Sequence, residues 1–199
     1  IFLFIEFISF VGSKLNLFIF NEHPYIYSKN PSEIISNYWT EKEIWGAWHT
    51  KNFKVKHKKK CFDVLYETNE IGARDTTFQN LTNSNNIVLL GDSFAEGYGV
   101  NKKNTFENII ENNINTEVLN FATSKDFGFI QYLLIYENLA KKYKHENILI
   151  SFLVNNDFKD NDYNYYKKNK LDFIKGKSRH RPYYIFKDDK FEIKFPQKK

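Results

Sequence analysis

The stretch IVLLGDSFAEGYG, residues 87–99, decides how the rest of this chain is interpreted. Its first four residues are a continuous apolar run of the kind that forms a strand buried on both faces. The run leads directly into Gly91, Asp92 and Ser93, and a helix-like pattern follows over residues 104–113. Glycine lets a chain turn tightly after a strand without a Cβ clash. The sequence therefore predicts that the Ser93 hydroxyl is presented at the end of a buried strand.

The segments that follow alternate between strand and helix patterns. Residues 117–121 and 147–153 are apolar and strand-like, and residues 129–143 between them carry apolar side chains at helical spacing. Such alternation predicts an α/β domain with a parallel sheet that is covered on both faces. Functional residues of such sheets lie at the carboxyl ends of the strands.

Size and composition are those of one globular domain with a small appendage. The chain has 199 residues, a net charge of +5 and an isoelectric point near 9.0. A charge this small predicts no nucleic-acid partner unless the basic residues cluster on one face. Cys61 is the single cysteine, which excludes an internal disulfide framework and argues against a structural zinc site. The sequence implies no metal and no organic cofactor.

Residues 1–20, IFLFIEFISFVGSKLNLFIF, are strongly apolar although they include Glu6 and Lys14. We interpret them as the outer part of a membrane anchor, with a core-facing amphipathic helix as the alternative. An anchor would make the membrane a partner and would place the protein outside the cytoplasm, in the periplasm or at the cell surface. The chain contains no methionine and stops in strand-like sequence, which favours a fragment cut at both ends.

Two further regions complete the predicted organisation. Residues 21–80 are expected to connect the anchor to a main domain over residues 81–199. Within that domain, a polar and tyrosine-rich segment over residues 159–181 is predicted to be an inserted loop, and residues 183–195 a hairpin.

The connecting region contains three tryptophans and a basic run. Trp39, Trp45 and Trp48 are interpreted as a small satellite core, with a sugar-stacking surface or an aromatic belt at a membrane interface as alternatives. The lysine-rich run over residues 54–60 is interpreted as a solvated hairpin tip, and contact with anionic lipid or polysaccharide is the alternative.

Three blocks together resemble the SGNH (GDSL) hydrolase superfamily. They are Gly91-Asp92-Ser93, the segment NFATSKDFG at residues 120–128, and Val154-Asn155-Asn156-Asp157. The lead-in NEIGARD at residues 69–75 is similar to membrane-anchored bacterial members. The resemblance spans roughly residues 62–160 and implies a three-layer sandwich with a central parallel sheet, flavodoxin-like in type and incomplete at its C-terminus.

The resemblance also implies the residues of a site. Ser93 would be the nucleophile and its backbone N–H one oxyanion donor. Lys125 stands where the family has a glycine, so its backbone N–H would be a second donor, and the Asn156 side-chain amide a third. Acyl transfer needs such a hydroxyl and such fixed donors. From the residues alone, Ser93 is equally a helix cap, the glycine turn a phosphate cradle, and Asn156 a turn residue.

The family's histidine, in a C-terminal Asp-x-x-His block, has no counterpart here, since no histidine follows an aspartate by three residues. We therefore expect the histidine to lie beyond Lys199, and this chain to be nearly inert. The implied function is a serine esterase that cleaves an O-acyl ester, including one carried by a glycan, through an acyl-serine. A polysaccharide O-acyltransferase and a non-catalytic carbohydrate-binding relative are the alternatives.

Overall fold

A computed structural model of the protein describes residues 2–15, 37–59, 61–78, 85–124, 127–168 and 182–195. The helices and strands of these residues are, in chain order, α1 (Phe2–Lys14), β1 (Trp39–Lys42), β2 (Gly46–His49), β3 (Lys54–Lys59), β4 (Phe62–Glu67), β5 (Ile87–Gly91), α2 (Ser93–Glu96), α3 (Phe106–Ile114), β6 (Val118–Asn120), α4 (Phe129–Asn138), β7 (Asn147–Ser151), α5 (Asp157–Asp160), α6 (Tyr163–Lys168), β8 (Tyr183–Lys187) and β9 (Lys190–Lys194).

Strands β5, β6 and β7 form one parallel sheet, with the order β6-β5-β7. Val88 of the central strand pairs with Leu119 on one side and with Ile148 on the other. The prediction of three parallel neighbours is therefore confirmed, and the structure is a mixed α/β fold around a three-stranded parallel sheet.

The central strand β5 is buried on both faces, as its continuous apolar run predicts. Because side chains alternate along a strand, its residues divide between two clusters. Val88 and Leu90 pack with Phe121 in the larger cluster, whereas Leu89 packs with Ala95 in a smaller one. This packing fixes the position of the turn that follows the strand.

The edge strand β7 differs from the prediction of a sheet covered on both faces. Ile148, Leu149 and Ile150 are 44%, 36% and 46% exposed. These residues alternate between the two faces of the sheet, so β7 is open on both sides in the part of the chain that the structure describes. A closed three-layer sandwich is thus not formed by the described residues.

The remaining strands form three antiparallel hairpins, β1–β2, β3–β4 and β8–β9. The last of these confirms the hairpin predicted for residues 183–195. The lysine-rich run is strand β3 and not only a hairpin tip. In that strand, Lys56 pairs with Asp63 of β4 at 3.1 Å, which neutralises part of its charge.

The tryptophans do not form one satellite core. Trp45 and Trp48 are 7% and 2% exposed and belong to the larger cluster, where the Trp48 ring lies 6.4 Å from that of Phe121. Trp39 packs instead against a third cluster, which surrounds Tyr38. Part of the predicted connecting region therefore contributes to the core beneath the parallel sheet.

The N-terminal apolar run forms helix α1, which has 13 residues. At 1.5 Å per residue such a helix is about 20 Å long, whereas a membrane core is about 30 Å thick. Among the described residues no helix is both long enough and apolar enough to span a membrane. The prediction of a transmembrane anchor is therefore wrong, and the membrane-anchored, extracytoplasmic location that depended on it is not supported.

The helices of the main domain follow the sequence pattern with shifted ends. Helix α3 confirms the pattern at residues 104–113. Helix α4 stops at Asn138, and a single 3₁₀ turn, Ala140–Lys142, replaces its predicted last part. The predicted inserted loop begins as two short helices, α5 and α6, and its residues 169–181 lie outside the described part of the chain.

Candidate functional site

The turn after β5 places Ser93 as the first residue of helix α2. The cap of this helix is Asp92, whose carboxylate accepts a hydrogen bond from the backbone N–H of Phe94 at 2.9 Å. A Cβ on Gly91 would lie 2.6 Å from the carbonyl oxygen of Ser151, so only glycine fits there. Ser93 is half-buried, and its hydroxyl forms no hydrogen bond within the described structure. Because Asp92 caps the helix, Ser93 is not needed for that role.

The predicted donor Asn156 lies in the turn between β7 and α5. Its backbone N–H bonds to the carbonyl of Leu153 at 3.2 Å, and its side-chain amide donates to Asp160 at 2.8 Å. The amide is thus bound to a carboxylate of its own segment. The structure brings Asn156 to the same edge of the sheet as Ser93 but does not show its amide directed at the Ser93 hydroxyl.

The second block is joined to the third through buried hydrogen bonds. The side-chain oxygen of Gln131 accepts from the N–H of Gly128 at 3.2 Å and from the amide of Asn161 at 2.5 Å. Gly128 also lies so close to the Asp157 carbonyl that a Cβ would not fit. Lys125, the predicted second donor, lies outside the described residues.

Asp157 is a buried carboxyl group between the blocks. It accepts hydrogen bonds from the Tyr132 hydroxyl at 2.8 Å and from the Leu153 N–H at 2.9 Å. Burial raises the pKa of Asp157 to about 6, and the negative charges of Asp92 and Asp160 raise it further against these two hydrogen bonds. The first and third blocks therefore share one acidic edge of the sheet.

Glu96 is a buried residue of this region that sequence reasoning missed. It is 1% exposed, and its Oε1 accepts from the Tyr38 hydroxyl at 3.0 Å and lies 3.5 Å from His49 Nε2. Its Oε2 accepts from both the N–H and the hydroxyl of Ser124. The signal in the sequence was a carboxylate three residues after Ser93, among small and apolar residues.

The charge of Glu96 is retained despite its burial. Burial by itself raises the pKa of this carboxyl, but His49, the Ser124 hydrogen bonds and Arg74 outweigh it, so that the pKa of Glu96 is lowered. An ionised Glu96 holds Ser124, the residue before Lys125, against the helix that begins at Ser93. Glu96 therefore ties the second block to the first.

None of the three described histidines hydrogen-bonds to Ser93. They make contacts elsewhere in the fold: His49 with Gly72 and Thr123 at 2.8 and 3.1 Å, His145 with Tyr136 at 3.2 Å, and His57 with the rings of Phe62, Tyr66 and Tyr98. Burial lowers the pKa of His57 to about 4, which makes it a weak base. His23 and His180 lie outside the described residues.

In the described part of the chain no group of three or more His, Cys, Asp or Glu side chains is placed to hold a metal ion. The site therefore consists of a serine hydroxyl, an amide and buried carboxyls at the carboxyl edge of a parallel sheet.

The chain matches no protein-family model, no curated protein and no solved structure. The resemblance to a hydrolase superfamily therefore depends on the three sequence blocks and on where the fold places them.

Proposed function

We propose that this chain carries the nucleophile and the oxyanion donors of an SGNH-type serine esterase that acts on O-acyl esters. The observation that carries the proposal is the position of two predicted residues. Ser93 follows β5 and Asn156 follows β7, and these strands are parallel neighbours. Since β6 lies on the other side of β5, the strand order reverses between them. Open α/β sheets bind ligands in the crevice at this point.

The same strand order supports a proposal about the whole fold. The order β6-β5-β7 corresponds to the first three strands of the flavodoxin-like order 2-1-3-4-5. A three-layer sandwich of this type needs further cover on β7, whose apolar side chains Ile148 and Ile150 are exposed. Cover on both faces of β7 is the feature that would complete the sandwich.

The proposed reaction has two balanced steps. The Ser93 oxygen attacks the acyl carbonyl carbon while its proton passes to a base, and the bond to the alcohol then breaks as the alcohol oxygen takes that proton. Water next attacks the acyl-serine, gives a proton to the base, and releases the carboxylic acid while Ser93 recovers its proton. A serine hydroxyl is a weak nucleophile unless a base accepts its proton.

The negative charge that forms on the carbonyl oxygen needs donors at about 2.7–3.1 Å. The backbone N–H groups of Ser93 and Lys125 and the Asn156 amide are proposed for this role. The Asn156 amide would have to leave Asp160, to which it is bound at 2.8 Å. The oxyanion therefore competes with the Asp160 carboxylate for this donor. The Asn156 side chain is the part of the site that must move.

A serine-directed fluorophosphonate tests the proposal on this chain directly. Since no described histidine hydrogen-bonds to Ser93, labelling should be slow, and millimolar imidazole should accelerate it by acting as a base that accepts the serine proton. Intact-mass and peptide mass spectrometry should locate one adduct, on Ser93. The Ser93→Ala variant should take up no probe, whereas Ser151→Ala should be labelled like the unmodified chain, because Ser151 lies at the same sheet edge outside the motif.

Two results would contradict the proposal. One is equal labelling of Ser93→Ala and the unmodified chain. The other is no labelling of the unmodified chain with imidazole present, while circular dichroism shows that it is folded.

A further inference from the structure

We infer that a pocket remote from Ser93 in the sequence, and unused by the proposed hydrolase, binds a small organic anion of sugar size. The cavity has a volume of about 360 Å³. It lies between the β1–β2 hairpin and the end of helix α4, and a volume of this order is typical of small-molecule sites. The inference does not depend on the hydrolase proposal.

The charge of the pocket points to an anionic ligand. Lys42, Lys51 and Lys142 line it, and none of its described lining residues is an aspartate or a glutamate. Lys42 lies on β1, Lys51 follows β2, and Lys142 ends the 3₁₀ turn after α4, so three separate segments bring these lysines together. None of the three forms an ion pair with a carboxylate in the described part of the chain. Their positive charges are therefore available to a ligand.

A buried hydrogen-bond donor gives a second, independent indication. Trp45 lines the pocket and is only 7% exposed, and its indole N–H has no acceptor among the described residues. The neighbouring Trp48 is ordinary in this respect, because its indole N–H donates to the Ile71 carbonyl at 2.8 Å. Buried polar groups are nearly always paired, so an unpaired indole donor in a pocket calls for an acceptor from a ligand.

The apolar part of the lining limits what the ligand is. Trp48, Ile71 and Leu139 add apolar surface to a pocket whose charged groups are all donors. A ligand that fits has acceptors on one side, including a carboxylate or a phosphate, and a compact ring with an apolar face on the other. A sugar that carries a carboxylate or a phosphate has this chemistry.

Titration calorimetry with glucuronate, glucose 6-phosphate and neutral glucose tests the inference. At least one of the two anions should bind saturably, and glucose should bind about tenfold more weakly or not at all, since it lacks the charge. Lys51→Gln and Trp45→Phe should each weaken the anion about threefold to tenfold. Lys58→Gln is the matched control: Lys58 is exposed on β3 and outside the pocket, so this variant should bind like the unmodified chain.

Thermal unfolding of each variant shows whether it is folded, and if Trp45→Phe is not, Lys142→Gln takes its place. The inference is overturned if neither anion binds saturably up to about 20 mM, which corresponds to a binding free energy weaker than about 2.3 kcal/mol. It is also overturned if glucose binds as tightly as the anions, or if the pocket variants and Lys58→Gln behave alike.

Discussion

Replacing Glu96 by alanine tests the buried network that joins the first two blocks. The carboxylate receives hydrogen bonds from Tyr38 at 3.0 Å and from Ser124, and it lies 3.5 Å from the His49 ring. Alanine would leave these donors facing a methyl group in a region closed to water.

The expected cost follows from these contacts. Each buried donor left without a partner costs about 1–3 kcal/mol, and here the Tyr38 hydroxyl and the N–H and hydroxyl of Ser124 all lose their acceptor. These costs overlap because the groups share one network, so we expect Glu96→Ala to lower the free energy of unfolding by about 3–5 kcal/mol. For a chain of this size, this corresponds to a fall in Tm of roughly 6–20 °C.

Urea unfolding followed by circular dichroism measures this loss. Glu137→Ala is the matched control, because Glu137 is exposed and pairs with Lys141 one helical turn away, and it should cost about 0.5 kcal/mol or less. The pKa of Glu96 is lowered in the folded protein, so its contribution is present at neutral pH and is lost as the pH falls through that pKa. The reasoning fails if Glu96→Ala lowers the free energy of unfolding by less than about 1 kcal/mol, which is the net contribution of about one ordinary hydrogen bond.

Three further predictions concern the carboxyl edge of the sheet. The Asp157 carboxyl should titrate near pH 6 when it is followed by ¹³C NMR. Because its folded pKa is raised, the stability that it contributes is fully present below about pH 4 and should be lost as the pH rises through 6. The Asp157→Asn variant should not show this loss. Gly128→Ala should lower the free energy of unfolding by about 1–3 kcal/mol in urea unfolding, since its Cβ would meet the Asp157 carbonyl, and an unchanged stability would contradict that packing. Asn156→Ala should slow imidazole-assisted phosphonylation of Ser93 about 10²-fold, whereas Lys125→Ala should leave it unchanged because only the backbone of Lys125 is proposed as a donor; a large Lys125→Ala effect would indicate a side-chain role.

The sequence pattern predicts the centre of the fold well, because its signals there are local. The run Ile87 to Leu90 is short, rich in branched apolar residues and followed by glycine, which favours a strand buried on both faces, and the strand–helix alternation after it favours parallel pairing. The aspartate before Ser93 caps the helix that follows in the same local way. These features needed no knowledge of distant contacts.

The features that sequence reasoning missed depend on distant contacts. Nothing local in the sequence shows that the fold brings Tyr38, His49 and Ser124 around Glu96. Trp48 was separated from the main core because nothing local shows that its ring reaches Phe121. The apolar N-terminal run predicted a membrane span, but helical pattern and composition do not fix where a helix ends, and α1 ends at Lys14.

A crystal structure of the chain with a phosphonate bound to Ser93 tests the central claim most directly. The phosphonyl oxygen occupies the position of the oxyanion, so its neighbours identify the donors. The account predicts this oxygen at about 2.7–3.1 Å from the Ser93 N–H nitrogen and from the Asn156 amide nitrogen, with that amide released from Asp160. An Asn156 amide that still binds Asp160, with the phosphonyl oxygen directed into solvent, would contradict it.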